Sequence, residues 1–165
     1  MSTSGEKALF WATGMGIGNV RYAPGTFGTL LGIPLAYVFS FLPLVVRPAA
    51  VFLLCLFAVV VSERAAMILK QKDPGCIVID EIAGYCTALA LMPRHWFFFL
   101  AGFVAFRFFD ILKPWPVGYL DRRFRGGFGI VADDVMAGIM AAAAIYLVII
   151  VLVLIGYGPG AFFGC

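Results

Sequence analysis

The sequence predicts an all-α fold: a polytopic transmembrane helical bundle of about four to five membrane helices, including one short pair. Three observations carry this. Hydrophobic residues fill 63% of the 165 positions and charged residues only 13%, against about 25% charged in an ordinary soluble domain, and mean hydropathy is +1.02. Leu, Ile, Val and Phe recur in runs near the roughly 20 apolar residues needed to cross a bilayer. The cations between those runs sort to one side. A single domain, 1–165, is the natural count.

The elements follow in order. The opening "MSTSGEKALFWATGMGIGN" has one Lys, an apolar piece broken by Gly14, Gly16 and Gly18, and no clean cleavage site, so no removable signal is expected there. Residues 27–46 form a first span, opened by "APGT" and closed before Arg47-Pro48. Residues 49–69 form a second, running through Glu63 and Arg64 near its polar end. Residues 82–92 and 96–111 make a tighter pair around "PRHW", short for full crossings and suited to tilting or to a hairpin. Residues 135–155 are the last span. The loop 117–129 precedes it and ends in "GGFG".

With five segments, Lys7, Arg21, Arg64, Lys70, Lys72, Arg107, Lys113, Arg122, Arg123 and Arg125 fall on one side, and Arg47 and Arg94 on the other. Positively charged loops stay cytoplasmic, so the N-terminus is expected inside and the C-terminus outside. All nine acids map to the same face as the majority of cations. The charge rule does not require that of acids. A net charge of +3 is too small to point to nucleic acid. Cys55, Cys76, Cys86 and Cys165 form no C-x-x-C pair, so neither a disulfide framework nor a zinc site is indicated.

The acids then form a pattern. "IVIDEIAG" (77–84) and "IVADDVMAG" (130–138) both read Ile-Val-x-Asp-acid and then enter a helix with Ala-Gly one turn in. Each puts an acidic pair, Asp80-Glu81 or Asp133-Asp134, at an expected helix N-terminus. Gly84 and Gly138 lack bulk, so neighbouring helices can approach there and draw the pairs together. One Asp per helix satisfies capping and the helix dipole, worth roughly 0.3–1 kcal/mol. Two adjacent carboxylates on each of two helices exceed that need, and ionisable groups at membrane depth are functional by default. Hard oxygen ligands with no suitable His or Cys nearby favour Mg²⁺, with Mn²⁺ second.

Arg107, Asp110 and Lys113 in "FRFFDILKPWP" are spaced three apart, so successive members neighbour one another on a helix that Pro114 stops. An acid between two cations can hold a metal beside a phosphate. The glycines of "GGFG" with Asp121, Arg122, Arg123 and Arg125, and the helix opening "YAPGTFGT" with Thr26, are two further anion-site candidates. "GMGIG" lacks the strand–helix–strand surroundings of a dinucleotide fingerprint. Carboxylates, cations and glycine turns on one membrane face suggest phosphoryl chemistry on a lipid head group. No Cys is followed closely by Arg, His95 is the one histidine, and D-x-D is absent. Metal-activated water, with a carboxylate taking the proton, is what remains.

"PGTFGT", "DEIAG", "RFFDILKPWP", "DR" and "GGFGIVADDVMAG" occur in the order and approximate spacing of phosphatidylglycerophosphatase A, and the chain resembles that family from about Pro24 to Gly138. The resemblance implies a Mg²⁺-dependent phosphatase of the bacterial inner membrane. It would convert phosphatidylglycerophosphate to phosphatidylglycerol at the cytoplasmic side, with membrane phospholipid as substrate. Carried onto this chain, the family's acidic positions are Asp80, Glu81, Asp110, Asp133 and Asp134, and its basic positions Arg107, Lys113 and Arg122. The expected site therefore has Mg²⁺ among those five acids, the general base at Glu81 or Asp134, and phosphate on Arg107 and Lys113, with Arg122 and Thr26 secondary. The rivals are another metal-dependent lipid-phosphate enzyme, for example a CDP-alcohol phosphotransferase, whose D-G-x-x-A-R core is missing here, and a small transporter subunit using clustered carboxylates, which predicts acids spread through the membrane depth where these gather at one surface.

Overall fold

The computed structural model describes residues 3–156, and among these every regular element is helical. In chain order they are α1 (Thr3–Ala12), a 3₁₀ turn (Ile17–Asn19), α2 (Pro24–Phe39), α3 (Arg47–Leu69), α4 (Ile79–Leu89), α5 (Trp96–Leu112), α6 (Val117–Arg123) and α7 (Gly126–Leu154). Cys165 lies outside the described residues.

Two helices, α3 with 23 residues and α7 with 29, are long and apolar enough to cross a membrane. At 1.5 Å per residue they measure about 35 and 43 Å, against a hydrocarbon core of about 30 Å. Their outward faces carry exposed Phe52, Leu53, Leu147 and Val148, a surface compatible with membrane association. α2 is shorter than expected, ending at Phe39 rather than near position 46. "SFLPLVV" leaves the helix at Ser40, where Arg47 ties the chain down by donating to the carbonyls of Ser40 (2.8 Å), Leu42 (3.0 Å) and Met92 (2.9 Å).

The short pair is real and its order in space explains its length. α4 has 11 residues, nearly all buried, because it is enclosed by α2, α3, α5 and α7 and packs most heavily on α7. Beyond its acidic first turn α4 carries no charged residue, and a helix of that kind belongs inside a protein. The Tyr85 hydroxyl donates to the Phe99 carbonyl of α5 at 2.8 Å, closing the pair. Small residues let the helices meet. A methyl at Gly138 would stand 2.2 Å from the Gly84 carbonyl oxygen, and one at Gly84 would stand 2.6 Å from that of Asp134. The close approach expected from the two Ala-Gly pairs is therefore the α4–α7 crossing itself.

Two expectations need correction. Segment 117–129 is not a loop: it contains α6, and "GGFG" opens α7 instead of turning before it. The last helix consequently begins nine residues before 135, and Asp133 and Asp134 sit in its third turn, not at its N-terminus. A glycine-rich helix start holds here because a partner supplies the cap. The Glu63 carboxylate of α3 accepts the Gly127 N–H, and a methyl at Gly127 would lie 2.1 Å from the Val59 carbonyl oxygen. The N-terminal segment, read as broken apolar sequence, forms α1 against α3.

Candidate active site

A polar cavity of about 170 Å³ opens at the bundle end where α4 begins and α5 finishes. Asp80, Glu81, Asp110, Asp133 and Asp134 all line it. These come from three helices: the crossing at Gly84 and Gly138 brings the pairs of α4 and α7 together, and α5, packed on both, adds Asp110.

Within the cavity the acids divide into two groups. Asp80 and Glu81, in the first turn of α4, meet Asp134 of α7, and one carboxylate oxygen from each lies within 4.8 Å of the others. Asp80 is 8% exposed and Asp134 4%. Asp80 Oδ1 and Glu81 Oε2 are buried with no hydrogen-bond partner. Buried polar atoms are rarely left so, and three carboxylates facing one another without a cation repel strongly in low dielectric. The cluster could bind a metal, and its all-oxygen donors suit a hard cation.

Asp133, one residue along, is turned about 100° around the helix from Asp134 and meets a different partner. Lys113 Nζ donates to Asp133 Oδ2 at 2.7 Å and to Asp121 Oδ1 at 2.8 Å. This corrects the reading of Arg107, Asp110 and Lys113 as one helical row. Arg107 does pair with Asp110 one turn on. Lys113, however, caps α5 with a left-handed backbone, φ 43°, so its side chain leaves that face and reaches α6 and α7. Burial alone would lower its pKa, but the two carboxylates more than offset this and hold Lys113 above the ordinary lysine range. Asp110 stays with the acids, adding its negative charge at Glu81 and Asp134.

The helix opening "PGTFGT" takes part through its glycines. A methyl at Gly25 would stand 2.2 Å from Glu81 Oε1 and 3.0 Å from an Arg107 guanidinium nitrogen; one at Gly28 would stand 3.4 Å from Glu81 Oε2. The first turn of α2 is thus a bare backbone wall against which Glu81 rests. The sequence pointed to the threonines of this motif. Thr29 donates to its own helix at Gly25 (2.8 Å), and Thr26 is half-buried and does not line the cavity. Arg122 is exposed, lies against Gly118 and does not line it either. Lys72, Asp73, Asp121 and Arg125 do line it. Of these, Lys72 and Asp73 had no motif to draw attention to them; the Pro74-Gly75 turn beside them was the available signal. His95 caps the opposite end of α5, accepting the Phe97 N–H at 3.3 Å.

Fold and site together define a class, a helical protein whose buried oxygen donors adjoin fixed cations, a pairing suited to phosphoester substrates. The phosphatidylglycerophosphatase A family profile matches residues 10–149. A phosphatidylglycerophosphatase A of Escherichia coli (strain K12) is 38% identical over 138 residues, covering 83% of this chain and 80% of that protein. One of Haemophilus influenzae is 40% identical over 142 residues, covering 83% and 85%. A Bacteroides thetaiotaomicron protein provisionally named as a phosphatidylinositol-3-phosphatase is 36% identical over 134 residues, covering 77% and 84%. No solved structure matches the chain. The chain belongs to the phosphatidylglycerophosphatase A family, and it is a phosphatase, a phosphoric monoester hydrolase.

Proposed function

We propose that this protein hydrolyses the terminal phosphomonoester of phosphatidylglycerophosphate to phosphatidylglycerol and inorganic phosphate, using Mg²⁺ held by Asp80, Glu81 and Asp134. The observation that carries the reading is the trio of buried carboxylates with unpartnered oxygens. Seven carboxylates and three cations line the cavity, so a phosphate dianion is repelled unless a divalent ion offsets that charge. When bound, such an ion polarises a phosphoryl oxygen and eases the ionisation of water.

The chain's own groups do the rest. Lys113 has three N–H donors, two of them used on Asp121 and Asp133, so the third is left for a phosphate oxygen. Arg107 pairs with Asp110 next to Glu81 but does not line the cavity, so it steadies the acids from behind them and leaves Lys113 as the donor to phosphate. Glu81 or Asp134 takes the proton from the attacking water. The water oxygen bonds to phosphorus as the bond from phosphorus to the glycerol oxygen breaks; the departing glycerol oxygen takes a proton from solvent, and the proton on the carboxylate returns to solvent. Asp133 orients Lys113, and Asp110 orients Arg107. The positions of Thr26 and Arg122 outside the cavity lining argue against a direct part in binding phosphate.

In this reading the whole chain is one multi-pass domain of the bacterial inner membrane. α2, α3, α5 and α7 make four membrane-embedded helices around the enclosed α4, and the cavity faces the cytoplasm. The support is charge: Lys72, Lys113 and Arg125 border the cavity, while Arg47 and the chain just before Arg94 meet at the far end.

Phosphate release from phosphatidylglycerophosphate in detergent tests this directly. Turnover should be lost in EDTA and restored by excess Mg²⁺. Turnover that persists in EDTA removes the metal, and release from phosphatidylinositol 3-phosphate in preference to phosphatidylglycerophosphate overturns the substrate.

A further inference from the structure

The three cations of the cavity are not equivalent. Lys113 is engaged by Asp121 and Asp133. Lys72 and Arg125 line the same cavity, but both are exposed and neither has a hydrogen bond or ion pair among the described residues. They come from separate segments, Lys72 from the α3–α4 connection and Arg125 from the residue preceding α7. Both are exposed while Asp80, Asp133 and Asp134 of the same cavity are buried, which puts the two cations at its rim. The rim is open beside Lys72, where a methyl at Gly75 would meet nothing within 4 Å. Arg122 and Arg123 are exposed nearby and do not line the cavity.

We propose that Lys72 and Arg125 form a second anion subsite at the cavity rim, which takes the phosphodiester of a substrate carrying both a diester and a terminal monoester. This rests on the proposed reaction for the identity of the substrate. A phosphomonoester placed among the acids of α4 and α7 leaves the rest of the molecule projecting through the opening. In phosphatidylglycerophosphate, the next charged group, one glycerol away, is a diester with a permanent negative charge. Two unpartnered cations from separate segments meet that group with charge-assisted hydrogen bonds and draw the anion toward a cavity otherwise rich in carboxylates. A lipid phosphate lacking the diester has nothing to place there, so the rim confers selectivity.

The test separates the subsite from the reaction. Glycerophosphoglycerol, a diester with no terminal monoester, is added to the purified protein in neutral detergent without lipid, and binding is followed by ³¹P line broadening. Wild type and the charge-keeping variant K72R/R125K should broaden the signal. K72Q/R125Q should not, and R123Q, which removes a cation off the rim, should behave as wild type. With phosphatidylglycerophosphate as substrate, K72Q/R125Q should raise KM about tenfold with a much smaller change in kcat, the product of two exposed charge contacts, and should flatten the salt dependence of KM. No broadening by wild type, or equal broadening by K72Q/R125Q, overturns the subsite. So does a KM unchanged in K72Q/R125Q. Wild type that binds the diester yet releases no phosphate from phosphatidylglycerophosphate overturns the proposed reaction and leaves the subsite standing.

Discussion

The carboxylate of Glu81 rests against the backbone of Gly25 and Gly28 on one side and faces Asp80 and Asp134 on the other. Its position is set by what is missing from its neighbours as much as by what bonds to it. Gly25→Ala should therefore act as an active-site mutation although it adds only a methyl. A carbon 2.2 Å from Glu81 Oε1 forces that carboxylate away. A displacement of about 1 Å at a reacting group costs up to roughly 100-fold in rate, which phosphate-release kinetics on Gly25→Ala will measure. Direct removal of the acids is the sharper case. Glu81→Gln and Asp134→Asn keep shape and remove charge, so helicity by circular dichroism should be retained while turnover falls about 100-fold or more. Wild-type turnover in both variants would exclude them from the chemistry.

Two helices meet backbone to backbone where Gly84 and Gly138 face each other, leaving no room for a methyl on either. This contact decides where Asp134 stands relative to Asp80. Gly138→Ala should push α4 and α7 apart and destabilise the fold by about 1–3 kcal/mol, the cost of overpacking a tight contact, seen as a lower unfolding temperature in detergent. Gly75→Ala is the matched control: its methyl meets nothing within 4 Å, and its unfolding temperature should stay near wild type. Elements also explain where pattern reading went astray. "GGFG" has the composition of a turn, and α7 begins there because α3 provides Glu63 to accept the Gly127 N–H. Lys113 sits at helical spacing from Asp110, and the left-handed cap before Pro114 sends it elsewhere. Both outcomes depend on groups far away in sequence or on the backbone at a single residue, which periodicity does not report.

The molecule as a whole is polarised along the bundle, with the acid-lined cavity at one end and the Arg47 staple at the other. Under the proposed topology, single cysteines at Lys72 and Arg94 in a background without native cysteines should be labelled from opposite faces of the membrane by an impermeant thiol reagent, Lys72 from the cytoplasmic face. Labelling of both from one face would end the multi-pass arrangement. By itself the sequence determined the all-helical class, the short pair around "PRHW", the family and the acids that gather at the cavity. Composition and local spacing suffice for these, since apolar length and clustered carboxylates are properties of contiguous chain. Tertiary structure alone decided that Asp134 joins Asp80 and Glu81 while Asp133 turns to Lys113, that glycines and not threonines of "PGTFGT" form the wall behind Glu81, and that Lys72 and Arg125 line the same cavity. The reason is geometric: adjacent residues on a helix diverge by about 100°, and which neighbour each one meets is set by the crossing of helices distant in sequence.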